Sequence, residues 1–475
     1  MELWALYPEL LIASAALVLV ATAGWLRGGW RELPWIAAAA TLAVALLLSA
    51  RMLPWQSAAV FGGTYAVDGY GTSFKLLLEL GGLLTVLLVR GYFGEREQSV
   101  HAPIAVLFST LGGMGLASAL DLALIVLFLQ MLSLASYVLV ALVRTDRLAN
   151  EATLKYFIYS AAALAVMAYG LSFLFGLTGS LQLAEIGRAL RHSDGAWITV
   201  ALALILVGYA FEATLAPFHF WAPDVYEGAS AVAAGFLSVV PKIAAFAGLI
   251  RFVLTALPEG LSASTPFAVI SALSMTFGNL AALRQTRLKR LLAYSSIAQA
   301  GYVLLPVAVL GRAEGAAGAA AYYLAAYLFM NLGAFAVAAQ IERASGTDGL
   351  EALRGIGRDA PWPGAVLAVS LLSLAGIPPF AGFIAKVFLL EAAMSGGLAW
   401  LAVLAAANMV IGLYYYIGVA ARMYFSTASG AAAFRLPRFG FVLALCFAGT
   451  LALGVAPAAV LHAGIFLERL CALKC

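Results

Sequence analysis

ALILVGYAFEATLAPFHFW, residues 203–221, places Glu212 inside an otherwise apolar run and follows it with Pro217. Two further stretches repeat the pattern with lysine: FLSVVPKIAAFAGLI (236–250) holds Lys242 beside Pro241, and LSLAGIPPFAGFIAKVFLL (372–390) holds Lys386 after Pro378 and Pro379. An ionised side chain at a bilayer centre costs at least ~3 kcal/mol on insertion scales, so such residues face a protein interior or a water-filled path. Proline removes a backbone donor, and the groups it frees must be satisfied inside protein or by water. Interrupted helices carrying ionisable groups are how membrane proteins build ion pathways. The three stretches point to transport of a small cation, most simply a proton.

Composition agrees with that class. Of 475 residues 64% are hydrophobic and 11% charged, with mean hydropathy +0.98, whereas a soluble domain carries roughly 25% charged residues. This is the profile of an all-α polytopic membrane protein. A net charge of +4 without any basic run excludes a nucleic-acid partner. Cys446, Cys471 and Cys475 have no spacing suited to zinc or an iron–sulfur cluster, so no metal and no cofactor is expected in this chain. The run ending at Trp25 starts with Glu2 and Glu9, lacks a basic leader region, and reads as a retained helix.

A spanning helix needs about 20 apolar residues, which divides the chain into about 14 transmembrane segments. They fall near 4–26, 34–53, 69–90, 101–119, 122–143, 152–176, 196–216, 229–256, 264–283, 291–311, 316–341, 363–394, 398–424 and 439–467. Strand-like alternation is absent, against a membrane β-barrel. Loops after odd-numbered segments hold Arg27, Arg31, Arg90, Arg96, Arg144, Arg147, Arg284, Arg287, Lys289, Arg290, Arg343, Arg354, Arg358, Arg422, Arg435 and Arg438. Those after even-numbered segments and the termini hold fewer: Arg51, Arg188, Arg191, Arg251, Arg312, Arg469 and Lys474. The richer face is expected in the cytoplasm of a bacterial inner membrane, with both termini outside.

Conventional active sites are missing. There is no phosphate-cradling GxxxxGK[ST] and no GxSxG elbow. His101, His192 and His462 read as loop or helix-end residues, while His219 lies in the APFHFWAPDVYEG break near Glu212. Asp68, Lys75 and Glu79 cluster at the third segment and read as a structural ion pair or a contact to a neighbouring subunit; Lys75 and Glu79, at i,i+4, are spaced so that they could pair on one face. Glu151 and Lys155 share that spacing, for proton uptake or a helix-end salt bridge.

At LAPFHFWAPDVYEGASAVAAGFLSVVPK (215–242) the chain resembles the antiporter-like N-type subunit, subunit 2, of respiratory complex I, the proton-pumping NADH:quinone oxidoreductase. NEATLKYF (150–157), KRLLAYSSIAQAGY (289–302) and LAGIPPFAGFIAK (374–386) are similar to further motifs of that subunit in the same order, so the resemblance covers essentially the whole chain. It implies a single transmembrane domain: helices 1–3 over about 1–98, repeat one over about 99–258, repeat two over about 259–426 and a C-terminal helix over about 427–475. The two five-helix repeats are inverted and contain broken helices 7 and 12. Lys242 matches the family's central lysine and Lys386 the lysine of broken helix 12. Flavin, iron–sulfur clusters and quinone are expected in partner subunits, and sister antiporter-like subunits and membrane lipids as neighbours.

Three positions depart from the family pattern. LFLQMLSLASY (127–137) gives Gln130 where a helix 5 glutamate is usual, Glu212 stands for the helix 7 lysine, and Gln299 for a common histidine. Gln130 cannot titrate, so the usual charge pair is absent; Glu212 restores one titratable group, which helix-end neighbours or Lys242 could partner. The expected relay is therefore Lys242, Lys386 and Glu212, with Gln130, His219, Lys155 and Gln299 lining or tuning it. The alternatives are snorkelling for the lysines, a protonated structural carboxyl for Glu212, and helix packing for Tyr294, Ser295, Ser296 and Gln299. Three functions are open: a proton-translocating subunit of a complex I-type enzyme, a subunit of a cation/proton antiporter or membrane-bound hydrogenase, or a transport-inactive scaffold.

Overall fold

The computed structural model describes residues 2–24, 32–53, 58–94, 100–143, 146–191, 195–257, 264–426 and 439–457. Arg27, Arg31, Arg96, Arg144, His192, Arg435, Arg438, His462, Arg469, Cys471, Lys474 and Cys475 lie outside the described residues. In chain order come α1 (Tyr7–Thr22), α2 (Leu33–Met52), a short antiparallel hairpin of β1 (Ala58–Val60) and β2 (Tyr65–Val67), then α3 (Gly69–Phe93). Next are α4 (His101–Ser118), α5 (Leu122–Val140), α6 (Arg147–Thr178), α7 (Leu183–Leu190), α8 (Gly195–Glu212), α9 (Trp221–Gly228) and α10 (Ala231–Ala256). The second half holds α11 (Ser264–Ala282), α12 (Leu288–Val307), α13 (Ala316–Ser345), α14 (Ile356–Asp359), α15 (Pro361–Ala375), α16 (Ala381–Ser395), α17 (Ala399–Phe425) and α18 (Gly440–Val455).

Eleven of these helices are long and apolar enough to cross a membrane. Of the fourteen segments expected, the others correspond to α12, which is less apolar, to the α15–α16 pair and to α18, which are shorter. The hairpin and α7 were not foreseen. β2 is too short to show alternation, and α7 lies between the sixth and seventh segments.

α10 and α13 are buried on every side and form the axis, whereas α1, α2, α6, α11 and α17 bury one side. Lipid tails are as apolar as leucine, so close packing of small residues holds such an axis together. α13 supplies it with AAGAAAYYLAAYLFMNLGAFAVAA, and on α10 a Cβ at Gly235 would meet Phe335 at 2.8 Å and one at Gly248 would meet Leu116 at 2.7 Å.

The packing recurs. α4 lies along α5 as α11 lies along α12; α6 contacts both α8 and α9 as α13 contacts both α15 and α16; α10 closes onto α4 as α17 closes onto α11. Counted in spanning segments, equivalent members are five apart, and an odd offset reverses the second set relative to the first, as in inverted-repeat transporters.

Two charge assignments need correction. Lys75 does not pair with Glu79: its Nζ lies 2.6 Å from Glu9 Oε1 on α1, while Glu79 accepts from Ser49 on α2 at 2.8 Å. Sequence spacing brought the two to one face, but neighbouring helices offered each a better-placed partner. Arg251 is no loop residue. It is buried in α10, where Nη1 and Nη2 each donate to Asp68 at 2.8 Å and Nε donates to the Ala117 carbonyl at 2.6 Å. Asp68 also caps α3, accepting from Gly71 N at 2.7 Å.

Candidate functional site: a buried polar line

The second break shows most directly how sequence builds the site. In a continuous helix the carbonyls of Leu374 and Ala375 would accept from the N–H groups four residues on, but those positions are Pro378 and Pro379, which have none. Lys386, on α16 beyond the break, supplies the missing donors: its Nζ is 2.7 Å from Leu374 O and 3.1 Å from Ala375 O. Gly376, at φ +89°, ends α15 in the left-handed conformation. Gly382 lets α16 approach so closely that a Cβ there would sit 1.8 Å from Ser373 O. The lysine, the prolines and the glycines thus form one unit.

Lys242 is held differently. Its Nζ donates to both the carbonyl and the hydroxyl of Ser296 on α12, each at 2.6 Å, and lies 5.4 Å from the centre of the Tyr327 ring. Neither lysine reaches an interface: Lys242 is 1% exposed and Lys386 3%. That rules out snorkelling. No carboxylate locks either lysine in its charged form among the described residues.

A ladder of polar groups joins them. Ser296 and Gln299 are one turn apart on α12, and Tyr323 and Tyr327 one turn apart on α13. The Tyr327 hydroxyl donates to Ser296 Oγ at 3.0 Å, and the Tyr323 hydroxyl donates to Gln299 Oε1. Gln299 Nε2 in turn donates to the Tyr416 hydroxyl at 3.0 Å and to Leu374 O at 3.1 Å, the same carbonyl that Lys386 grips. Ser295 bonds Tyr416, and Tyr302, one turn beyond Gln299, lies under Lys386 with 4.9 Å between Nζ and its ring centre. At the other end Ser238, one turn before Lys242, accepts from Asn331 at 2.6 Å. Tyr294, expected beside these, is only half-buried.

The first break carries a carboxyl. α8 ends at Glu212, whose Oε2 accepts from Ser133 of α5 at 3.1 Å while Oε1 has no partner among the described residues. The chain then turns through Thr214 at φ +60°, with Leu215 N donating to Ala210 O at 2.7 Å and Trp221 Nε1 to Phe211 O at 3.2 Å. Lys242 does not partner Glu212, since α10 aims it at α12 instead. Gln130 lies one turn before Ser133, half-buried, with no side-chain hydrogen bond among the described residues. His219 is 3% exposed, packed between Phe220 and Phe277 with ring centres 4.6 and 4.5 Å away.

Lys155 stands apart. It bonds Glu151 at 2.8 Å and Asp224 at 2.7 Å, and Asp224 continues to Arg290, which pairs with Glu227 at 2.6 Å. This is a half-exposed network of ion pairs at the end of the bundle. His101 is the exposed first residue of α4. Sequence reasoning missed Ser133, Tyr323, Tyr327, Asn331 and Tyr416. The i,i+4 spacing of Tyr323, Tyr327 and Asn331 was the available signal for three of them.

Among the described residues no cluster of His, Cys, Asp or Glu could hold a metal ion. Residues 119–412 match the family model described as NADH:quinone oxidoreductase/Mrp antiporter, transmembrane. NADH-quinone oxidoreductase subunit N of Geobacillus kaustophilus is 40% identical over 470 residues, 95% of this chain and 94% of that protein. Among solved structures, a chain of respiratory complex I from Thermus thermophilus with bound aureothin superposes with TM-score 0.82 at 36% identity, covering 96% of this chain and 98% of that one. A chain of the Mrp complex from Dietzia sp. superposes with TM-score 0.87 over 100% of this chain and 98% of that one; at 22% identity it shares the fold.

Proposed function

Because the chain belongs to the NADH:quinone oxidoreductase/Mrp antiporter transmembrane family, we propose that protons move through this bundle along the line Glu212, Lys242, Ser296, Gln299 and Lys386. The chain is a proton-translocating membrane-arm subunit of a complex I-type NADH:quinone oxidoreductase. Electron transfer takes place in other subunits and drives the movement. The observation that carries the residue assignment is the pair of buried lysines joined through Ser296, Gln299 and the Leu374 carbonyl, with no carboxylate fixing either charge. A proton relay needs groups that hold and release a proton in a protected, connected site.

Residues 99–258 and 259–426 serve as the two half-channels, a division supported by the recurring helix contacts. Sister antiporter-like subunits flank the chain, lipids cover its apolar sides, and both termini face outward, as the distribution of basic residues indicates. Lys242→Ala decides the assignment. In complex assembled and purified with the variant, proton translocation per electron is expected to fall while assembly is preserved. Wild-type translocation would remove Lys242 from the path.

A further inference from the structure

A second set of buried ionisable groups lies outside both repeats, in α1–α3. Glu9, Lys75 and Glu79 are 7%, 3% and 0% exposed. Lys75 bonds Glu9 Oε1 at 2.6 Å and lies 5.0 Å over the Tyr65 ring, whose hydroxyl donates to the same oxygen at 2.7 Å. Glu79, one helical turn on from Lys75, accepts only from Ser49 among the described residues. Its Oε2, like that of Glu9, is buried without a partner among the described residues. A carboxyl with one hydroxyl donor is a poor structural fastener, because a buried polar atom left unmatched costs about 1–3 kcal/mol.

Beyond Glu79 the α3–α4 contact opens onto hydroxyls. Gly82, three residues on, leaves room for Thr110: a Cβ at 82 would be 2.5 Å from its Oγ1, and that oxygen is buried and also unpartnered. Next to Thr110, Ser109 turns to the other flank of α4, where its hydroxyl lies 3.2 Å from that of Ser136 on α5. Ser133, one turn before Ser136, donates to Glu212. Thr110, Ser109, Ser136 and Ser133 therefore mark a polar track from Glu79 through α4 and α5 to the first break.

We propose that Glu79 is a proton-exchanging site of a lateral branch, fed through Lys75 and Glu9 and connected to Glu212 by this track with water between the hydroxyls. The proton that leaves the Glu79 carboxyl is replaced through water by one from the Lys75 ammonium, and Lys75 is reprotonated by Glu9, whose carboxylate has first taken up a proton from the aqueous side. Each hydroxyl along the track passes on one proton for each it receives and returns to its starting state. The inference rests on the reading of Glu212 as a proton site.

The test uses the assembled complex in proteoliposomes. Glu79→Gln keeps an acceptor for Ser49 but cannot titrate, and Thr110→Val keeps the shape but cuts the track. Both are expected to lower the proton-to-electron ratio. If Glu79→Gln pumps as wild type while Glu212→Gln does not, the branch is overturned and the central line stands; if Glu212→Gln also pumps normally, the reading beneath it fails. Wild-type pumping by Thr110→Val alone overturns the connection to Glu212. Should Glu79→Gln fail to assemble, the unmodified complex decides, since a hydrophobic carbodiimide reacts with protonated carboxyls in apolar surroundings. Mass spectrometry finding the adduct on Glu79 supports the proposal, and an unmodified Glu79 overturns it.

Discussion

Gln299 and Lys386 donate to one acceptor, the carbonyl of Leu374, at 3.1 and 2.7 Å. That carbonyl is available because Pro378 cannot donate to it. The broken helix therefore fastens Lys386 to the helix leading back to Lys242, and the two prolines act as part of this arrangement.

Gln299→Leu removes the donors to Leu374 and Tyr416 and the acceptor for Tyr323 at nearly constant volume. Each such bond contributes about 1 kcal/mol, so losing the link is expected to slow proton-coupled turnover roughly fivefold. Gln299→His, which can still donate and accept, should slow it less. Turnover coupled to proton uptake in proteoliposomes checks both; equal rates for Leu and wild type would mean that protons bypass Gln299.

Lys386→Met leaves the Ala375 carbonyl without a donor and the Leu374 carbonyl with Gln299 alone, and removes the proposed proton carrier. Lys386→Arg keeps a donor but not one that releases its proton readily. Coupled turnover is expected to fall in both and further in Met, measured as NADH-driven proton pumping. If both variants match wild type, Lys386 only ties the break together.

For Glu212 the informative variants are conservative. Glu212→Gln keeps the bond from Ser133 and loses titration, and is expected to reduce transfer through the first half-channel, whereas Gln130→Glu alone brings no gain. The double variant Gln130→Glu/Glu212→Lys, which puts back the pair usual in the family, should conduct. Proton-translocation ratios for the three decide it; an unchanged ratio in Glu212→Gln would make this carboxyl structural.

Arg251→Leu tests stability away from the relay. It strands the Asp68 carboxylate in a buried site, and breaking such a pair by removing one partner costs about 3–5 kcal/mol. Arg251→Leu/Asp68→Asn should recover most of the loss, because it removes the stranded charge. Thermal unfolding of the purified complex measures the difference, and equal melting of the single and double variants would contradict it.

The helices, both breaks and the two buried lysines were legible in the sequence because their signals are local: apolar runs of spanning length, prolines inside them, and charges too costly to expose to lipid. Spacing along one helix could not say whom a side chain meets. Lys75 took Glu9 instead of Glu79, Arg251 proved to be a buried partner of Asp68, and Lys242 chose Ser296 over Glu212. In a membrane interior every polar group is driven to the nearest available partner, and which partner is nearest depends on how helices far apart in the chain cross. Tyr323 and Tyr327 show the same division: their period was written in α13, but only the packing of α13 against α12 made them the rungs between two lysines.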